Sequence, residues 1–129
     1  MHTVTKHTEL RVYQAARASA AKIFKLTLRF PPEERYGLTA QIRNCSRSVG
    51  ANIPEAWRKR RYTPAFRNKL SDAEGEAAET QWWLDCAMDC NYITPEEHEE
   101  STKQYDSIIA QLVKMSVMAP SFANFNKQS

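Results

Sequence analysis

The chain has 129 residues, 42% of them hydrophobic, with 18 Lys/Arg against 15 Asp/Glu and a net charge of +3. One domain of this length buries roughly two-thirds of its unfolded surface, so a core needs neither disulfide nor metal. Three glycines and no long β-branched run argue against a sheet protein, and no apolar run approaches the length of a membrane span.

The charge is unevenly spread. Residues 1–42 carry +4, residues 43–69 carry +7 and residues 70–129 carry −8. Such a split predicts one basic and one acidic surface, unless the halves neutralise each other within a protomer or between copies. Cys45, Cys86 and Cys90 are odd in number and no signal peptide is visible, which predicts reduced thiols and a cytoplasmic location.

Residues 1–8 read as a frayed start. A first helix is expected over Glu9–Arg29, where Val12, Ala16, Ala20, Ile23 and Thr27 form one stripe. Tyr13 and Phe24 widen this apolar face, while Arg11, Gln14, Lys22, Lys25 and Arg29 lie opposite. Phe30-Pro31-Pro32 ends the helix, because a residue before proline is pushed out of the α region.

The second helix is expected from Glu33 to Arg61, with Pro32 and the Glu33-Glu34 pair suited to its start. Leu38, Ile42, Cys45, Val49, Ile53 and Ala56 form its core stripe. Pro54 presses on the carbonyl of Gly50, which predicts a kink or a break between them. Arg43, Arg47, Arg58 and Arg61 share one narrow arc away from that stripe. Lys59 and Arg60 extend the cluster, although basic residues at a helix C-terminus also suit the dipole.

Thr63 is the expected N-cap of a third helix that runs to Cys90, with Pro64 at its first position. Its core stripe is Phe66, Leu70, Ala73, Ala77, Leu84 and Met88. Nearly opposite lie Gly75, Ala78, Trp82 and Cys86, small residues around a large aromatic, which read as an oligomer contact. The alternative is that Trp82 or Trp83 covers the end of the protomer's own core.

Thr94-Pro95-Glu96-Glu97 is a strong helix start, with Thr94 as N-cap and Glu97 completing a capping box. The fourth helix carries Tyr105, Ile108, Ile109, Leu112, Met115 and Ala119 on one side and ends at Pro120. Residues 120–129 read as a mobile tail in which Phe122 or Phe125 can dock. Four amphipathic helices with short connections predict an all-α, antiparallel up-down-up-down four-helix bundle over residues 1–129.

ELRVYQAA, FPPEERYGLTAQIR, SVGANIPEA and GEAAETQWWLDCAMDCNYIT resemble the four-helix-bundle proteins encoded within intervening sequences of bacterial 23S ribosomal RNA genes. The resemblance runs from about Glu9 to Leu112 and implies ring-like homo-oligomers, with five subunits expected. The chain departs from the usual Ser-Ile-Pro-Ser-Asn-Ile-Ala-Glu-Gly by carrying Ser48-Val49-Gly50-Ala51-Asn52-Ile53-Pro54-Glu55-Ala56, so its proline lies four residues later. The accessory protein of diversity-generating retroelements is similar in fold and charge. It implies, by analogy, a basic ring that works with nucleic acid.

No phosphate loop, nucleophile elbow or metal-binding helix motif is present. Cys86 and Cys90 lack further ligands, and the acidic run of Asp72, Glu74, Glu76, Glu79 and Asp85 lacks the histidines of a di-iron bundle. No enzyme, cofactor or metal is therefore expected. The expected nucleic-acid-binding residues are Arg43, Arg47, Arg58, Lys59, Arg60, Arg61 and Arg67, with Trp57 and Tyr62 available for stacking and RNA favoured over DNA. The competing expectation is a scaffold whose arginines pair with acidic helices of a neighbouring copy.

Overall fold

A computed structural model describes residues 4–123, and all regular structure among them is helical. A 3-10 turn at His7–Glu9 leads into α1 (Arg11–Thr27), and a second at Pro32–Glu34 precedes α2 (Leu38–Arg58). Then follow α3 (Thr63–Asp89), α4 (Pro95–Val117) and the short α5 (Ala119–Phe122). Helix α1 packs on α2 and α4, and α3 packs on the same two.

The contacts give the register of each packed pair. Between α2 and α3, Glu55 meets Lys69 near the turn, and Cys45 meets Thr80 further away. Between α3 and α4, Asp85 pairs with His98, Gln81 with Asp106, and Arg67 reaches the carbonyl of Ser116. Between α1 and α4, Arg29 pairs with Glu97 and Lys22 with Glu100. In each pair one number rises as the other falls.

The expected stripes supply the core. Val12, Ala16, Ile23, Ile42, Val49, Ile53, Phe66, Leu70, Leu84, Tyr105, Ile108 and Leu112 are all buried. Four stripe members, Ala20, Met88, Ile109 and Met115, are only half-buried, and Ser19 and Thr80 take interior positions between the expected ones. Thr80 satisfies its hydroxyl locally, 2.8 Å from the carbonyl of Glu76 and 3.1 Å from Cys45 Sγ. Burial pushes the Cys45 thiol up to about 11.

Several boundaries differ from expectation. Glu33 and Glu34 form a 3-10 turn instead of the first turn of α2, whose N-cap is Gly37. The cap is made by a carboxylate from outside the helix: Leu38 N–H donates to Glu34 Oε1 at 3.1 Å. A Cβ on Gly37 would lie 2.9 Å from that oxygen, so a larger residue would push the Glu34 carboxylate away from this cap. The other Glu34 oxygen accepts from Tyr92 Oη at 3.0 Å, and this bond pushes the Tyr92 phenol up to about 12.

Helix α2 continues through Pro54, so no break occurs there. Tyr62, not Thr63, is the N-cap of α3, which places Thr63 and Pro64 inside its first turn. The capping box at Thr94 and Glu97 forms as expected, with bonds of 3.1 and 2.9 Å. Asn91, with φ 61°, closes α3 in the left-handed conformation; Asn91 N–H donates to Met88 and Tyr92 N–H to Ala87.

The chain ends are more built than expected. Val4 packs on the core, and the His7 ring meets Tyr13 edge-on at 5.1 Å. Residues 120–122 belong to α5, and Phe122 docks between Trp57 and Phe66 at 6.1 and 5.6 Å between ring centroids. Residues 1–3 and 124–129, with Phe125, lie outside the described residues.

Candidate nucleic-acid interface

The seven cations expected to bind nucleic acid fall into three sets. Arg58, Lys59 and Arg61 are exposed where α2 ends. Lys59 N–H returns to Ala56 and Tyr62 N–H to Lys59, so the chain leaves helical phase directly after Arg58. Among the described residues, Arg58 and Lys59 have no carboxylate partner. Tyr62, 62% exposed, stands beside them with the Arg61 guanidinium 6.0 Å from its ring centroid.

Arg43 and Arg47 form the second set, mid-way along α2. Their guanidinium groups lie 4.6 and 5.8 Å from the Phe24 ring of α1, and Arg43 Nε donates to Thr27 Oγ1 at 2.8 Å. Phe24 is therefore not part of the core face; it sits at the edge of α1, 39% exposed, under two cations.

Arg60 is held inside the protomer, which corrects the expectation of an exposed cation there, and Arg67 is tied to the backbone of α4. Arg60 is 8% exposed; it lies over the Trp57 ring at 4.0 Å and donates to the Trp57 carbonyl at 2.8 Å. Burial first, then the charges of Arg58 and Arg61, push its guanidinium down. Trp57 is itself buried and offers no stacking face. Arg67 is exposed, but its Nε holds the carbonyl of Ser116 near the end of α4 at 3.0 Å.

In the expected oligomer stripe, Gly75, Ala78 and Trp82 are exposed, Trp82 at 59%. Cys86 departs from it, being half-buried and packed on the core. Trp83 is the tryptophan that covers the protomer's own core, with Nε1 donating to Glu79 at 3.1 Å.

Two features were missed from sequence. Arg35 and Tyr36, in the loop before α2, form another exposed pair, with the guanidinium 5.3 Å from the ring centroid. A groove of about 740 Å³ opens between α1 and α4, with Leu10, Val12, Met115 and Phe122 below and Arg11 and Lys114 at its rim. The signal for the first is the Arg-Tyr dipeptide beside a proline turn; the second depends on how two helices splay and has no local signal. Among the described residues no three His, Cys, Asp or Glu side chains are grouped to hold a metal, and no helix is long and apolar enough to cross a membrane.

These features define an all-helical protein whose distinctive chemistry is a basic, aromatic-edged surface. The chain belongs to the family of 23S rRNA-intervening sequence proteins, which matches residues 8–114. It is similar to the crystal structure of a protein of unknown function from the S23 ribosomal protein family of Bacteroides thetaiotaomicron. That likeness has 29% identity and a TM-score of 0.71, covering 81% of this chain and 97% of the other. No curated protein matches.

Proposed function

We propose that this chain is a non-catalytic, cytoplasmic RNA-binding protein that uses the C-terminal end of α2, with Arg58, Lys59 and Arg61 on phosphates. The observation that carries this reading is the exposure of Arg58 and Lys59 without a carboxylate partner among the described residues. Unpaired cations release counterions on binding a polyanion, which is the main driving term of such binding. Arg47 adds charge on the same arc of the helix. The family's connection with 23S rRNA in its name and the analogy to the retroelement accessory protein point the same way.

The proposed protomer is an antiparallel up-down-up-down four-helix bundle, which the register of the contacts supports, with α2 bent at Gly50–Pro54 on account of the proline within it. The proposed assembly is a homo-oligomer, a pentameric ring by family resemblance, joined through Gly75, Ala78 and Trp82. A ring multiplies the positive field of each protomer.

The test is binding to a structured RNA and to duplex DNA across a salt series. The variant Arg58→Ala/Lys59→Ala/Arg61→Ala keeps Arg60, so the Trp57 stack survives. Loss of affinity and a salt slope lower by roughly two to three are expected on removing three phosphate contacts. Absence of binding by the wild-type protein at low salt overturns the reading.

A second reading, a scaffold, draws on the exposed Asp72 and Glu79 of α3. In it a neighbour's carboxylates neutralise Arg58 and Arg61. Arg58→Glu/Arg61→Glu then dissolves the oligomer; an unchanged mass by light scattering counts against it.

A further inference from the structure

Four large aromatic side chains are exposed among the described residues: Phe24, Tyr36, Tyr62 and Trp82. Three of them have an arginine guanidinium at the ring. Arg35 lies 5.3 Å from the Tyr36 centroid, Arg43 4.6 Å from Phe24, and Arg61 6.0 Å from Tyr62. These three pairs are distributed along α2: one before its first residue, one beside its second turn, one after its last. Tyr36 is 83% exposed. Among the described residues, an aromatic ring is thus held in water at both ends of the same helix, Tyr62 being 62% exposed.

We infer that the two tyrosine pairs at the ends of α2 are stacking platforms for unpaired bases, and that the ligand of the α2 surface is single-stranded RNA instead of a duplex. The inference rests on the proposed nucleic-acid reading and names its substrate. A guanidinium beside a ring places a phosphate-binding cation next to a π-face, the two contacts that one unpaired nucleotide offers. A duplex keeps its base faces stacked internally and shows only base edges, 2′-hydroxyls and backbone, so it leaves both tyrosine rings unused. The 21 residues of α2 span about 32 Å, and a strand of about 12 nucleotides covers more than that even at the compact rise of about 3.4 Å per nucleotide of a stacked duplex strand.

The experiment uses a fluorescein-labelled, unstructured RNA 12-mer of mixed sequence, alone and annealed to its complement. Affinities are measured by anisotropy at low and moderate salt for the full chain, Tyr36→Ala/Tyr62→Ala, Tyr36→Phe/Tyr62→Phe and the triple cation variant. The expected result is single-strand binding at least tenfold tighter than duplex binding. The alanine variant loses roughly five- to hundredfold per platform on the single strand, with its salt slope and duplex affinity unchanged. The phenylalanine variant retains binding, because a ring without a hydroxyl still stacks. Both tyrosines are exposed, so the substitutions leave the core intact. Equal affinity for single strand and duplex, or an alanine variant that binds as wild type does, overturns this inference while the phosphate reading stands. Binding of neither form overturns the phosphate reading and this inference with it.

Discussion

Two sets of cations on this molecule meet different ends. Near the junction of α1 and α4, Arg29 pairs with Glu97 at 2.7 Å and Lys22 pairs with Glu100. At the far end of α2, Arg58 and Lys59 project from the surface without a carboxylate partner among the described residues. These two cations are thus taken up by the acidic α4, whereas Arg58 and Lys59 keep their charge at the surface. Neutralisation within the protomer, the simplest account of the split charge, holds for one set and not for the other. A charge count cannot distinguish them, because pairing depends on which helices are neighbours.

The largest expected effect tests that contrast by reversal. Arg58→Glu/Lys59→Glu/Arg61→Glu should lower affinity for RNA by 100-fold or more, since three phosphate contacts are replaced by repulsion. Thermal stability should change little, because these side chains are exposed. Lys22→Glu, at a paired site, should leave RNA affinity within a few-fold. Similar losses at both places, measured by salt-controlled titration, break the comparison.

Arg60 sharpens it from within the same RKRR run. Arg60→Ala should lower stability by about 2 kcal/mol in urea unfolding, through the lost bond to the Trp57 carbonyl and the lost stack. Its effect on the salt slope of RNA binding should be small beside that of Arg58. A variant as stable as wild type with a reduced salt slope would return Arg60 to the binding surface.

The run also marks where the sequence was legible and where it was not. The core stripes of α2, α3 and α4 were readable because helical periodicity holds along a continuous helix. The Thr94–Glu97 capping box was readable because all its parts lie within four residues. Arg60 was not. A helical wheel places it 100° from Arg61 and close to Ile53 and Ala56 of the core stripe, but its charge groups it with its basic neighbours as one run, and only the Trp57 stack shows how a guanidinium is accommodated there. Phe24 was misread for a related reason: at the edge of an apolar stripe, neighbouring arginines decide whether a ring faces core or water. The Glu34 cap on Leu38, shared with Tyr92, joins residues 58 apart and left no local pattern.

At the paired end, Glu97 carries two tasks, capping α4 through Thr94 N–H and holding Arg29. Glu97→Ala should cost about 1 kcal/mol, most of it from the cap, because the ion pair is partly exposed. The Arg29 bond first, then the Thr94 backbone bond, hold the Glu97 carboxyl below its ordinary value of 4.5. A depressed acid contributes stability above its unfolded pKa and loses it as pH falls through the folded one. Wild type should therefore lose stability on acidification below about pH 4.5 more steeply than Glu97→Ala in matched denaturant curves. Parallel curves would show that the α1–α4 pair contributes nothing.

The smallest expected effect lies on α3, where the scaffold reading would seat its partner. Gly75 is exposed in mid-helix and has no heavy atom within 4 Å of an added Cβ, apart from its own helix backbone. Within a lone protomer Gly75→Ala should therefore be favourable, by up to about 1 kcal/mol, because alanine restricts the unfolded chain and favours the helix. In an assembly joined at Gly75, Ala78 and Trp82 the same methyl group meets a neighbour's surface. The oligomer should then dissociate at higher protein concentration even as the protomer gains stability. Opposite signs in the two measurements, chemical unfolding of the dissociated protein and mass against concentration, place a second copy on this face. A gain in both leaves the Trp82 face uncovered, and with it removes the neighbouring carboxylates that the scaffold reading needs to neutralise Arg58 and Arg61.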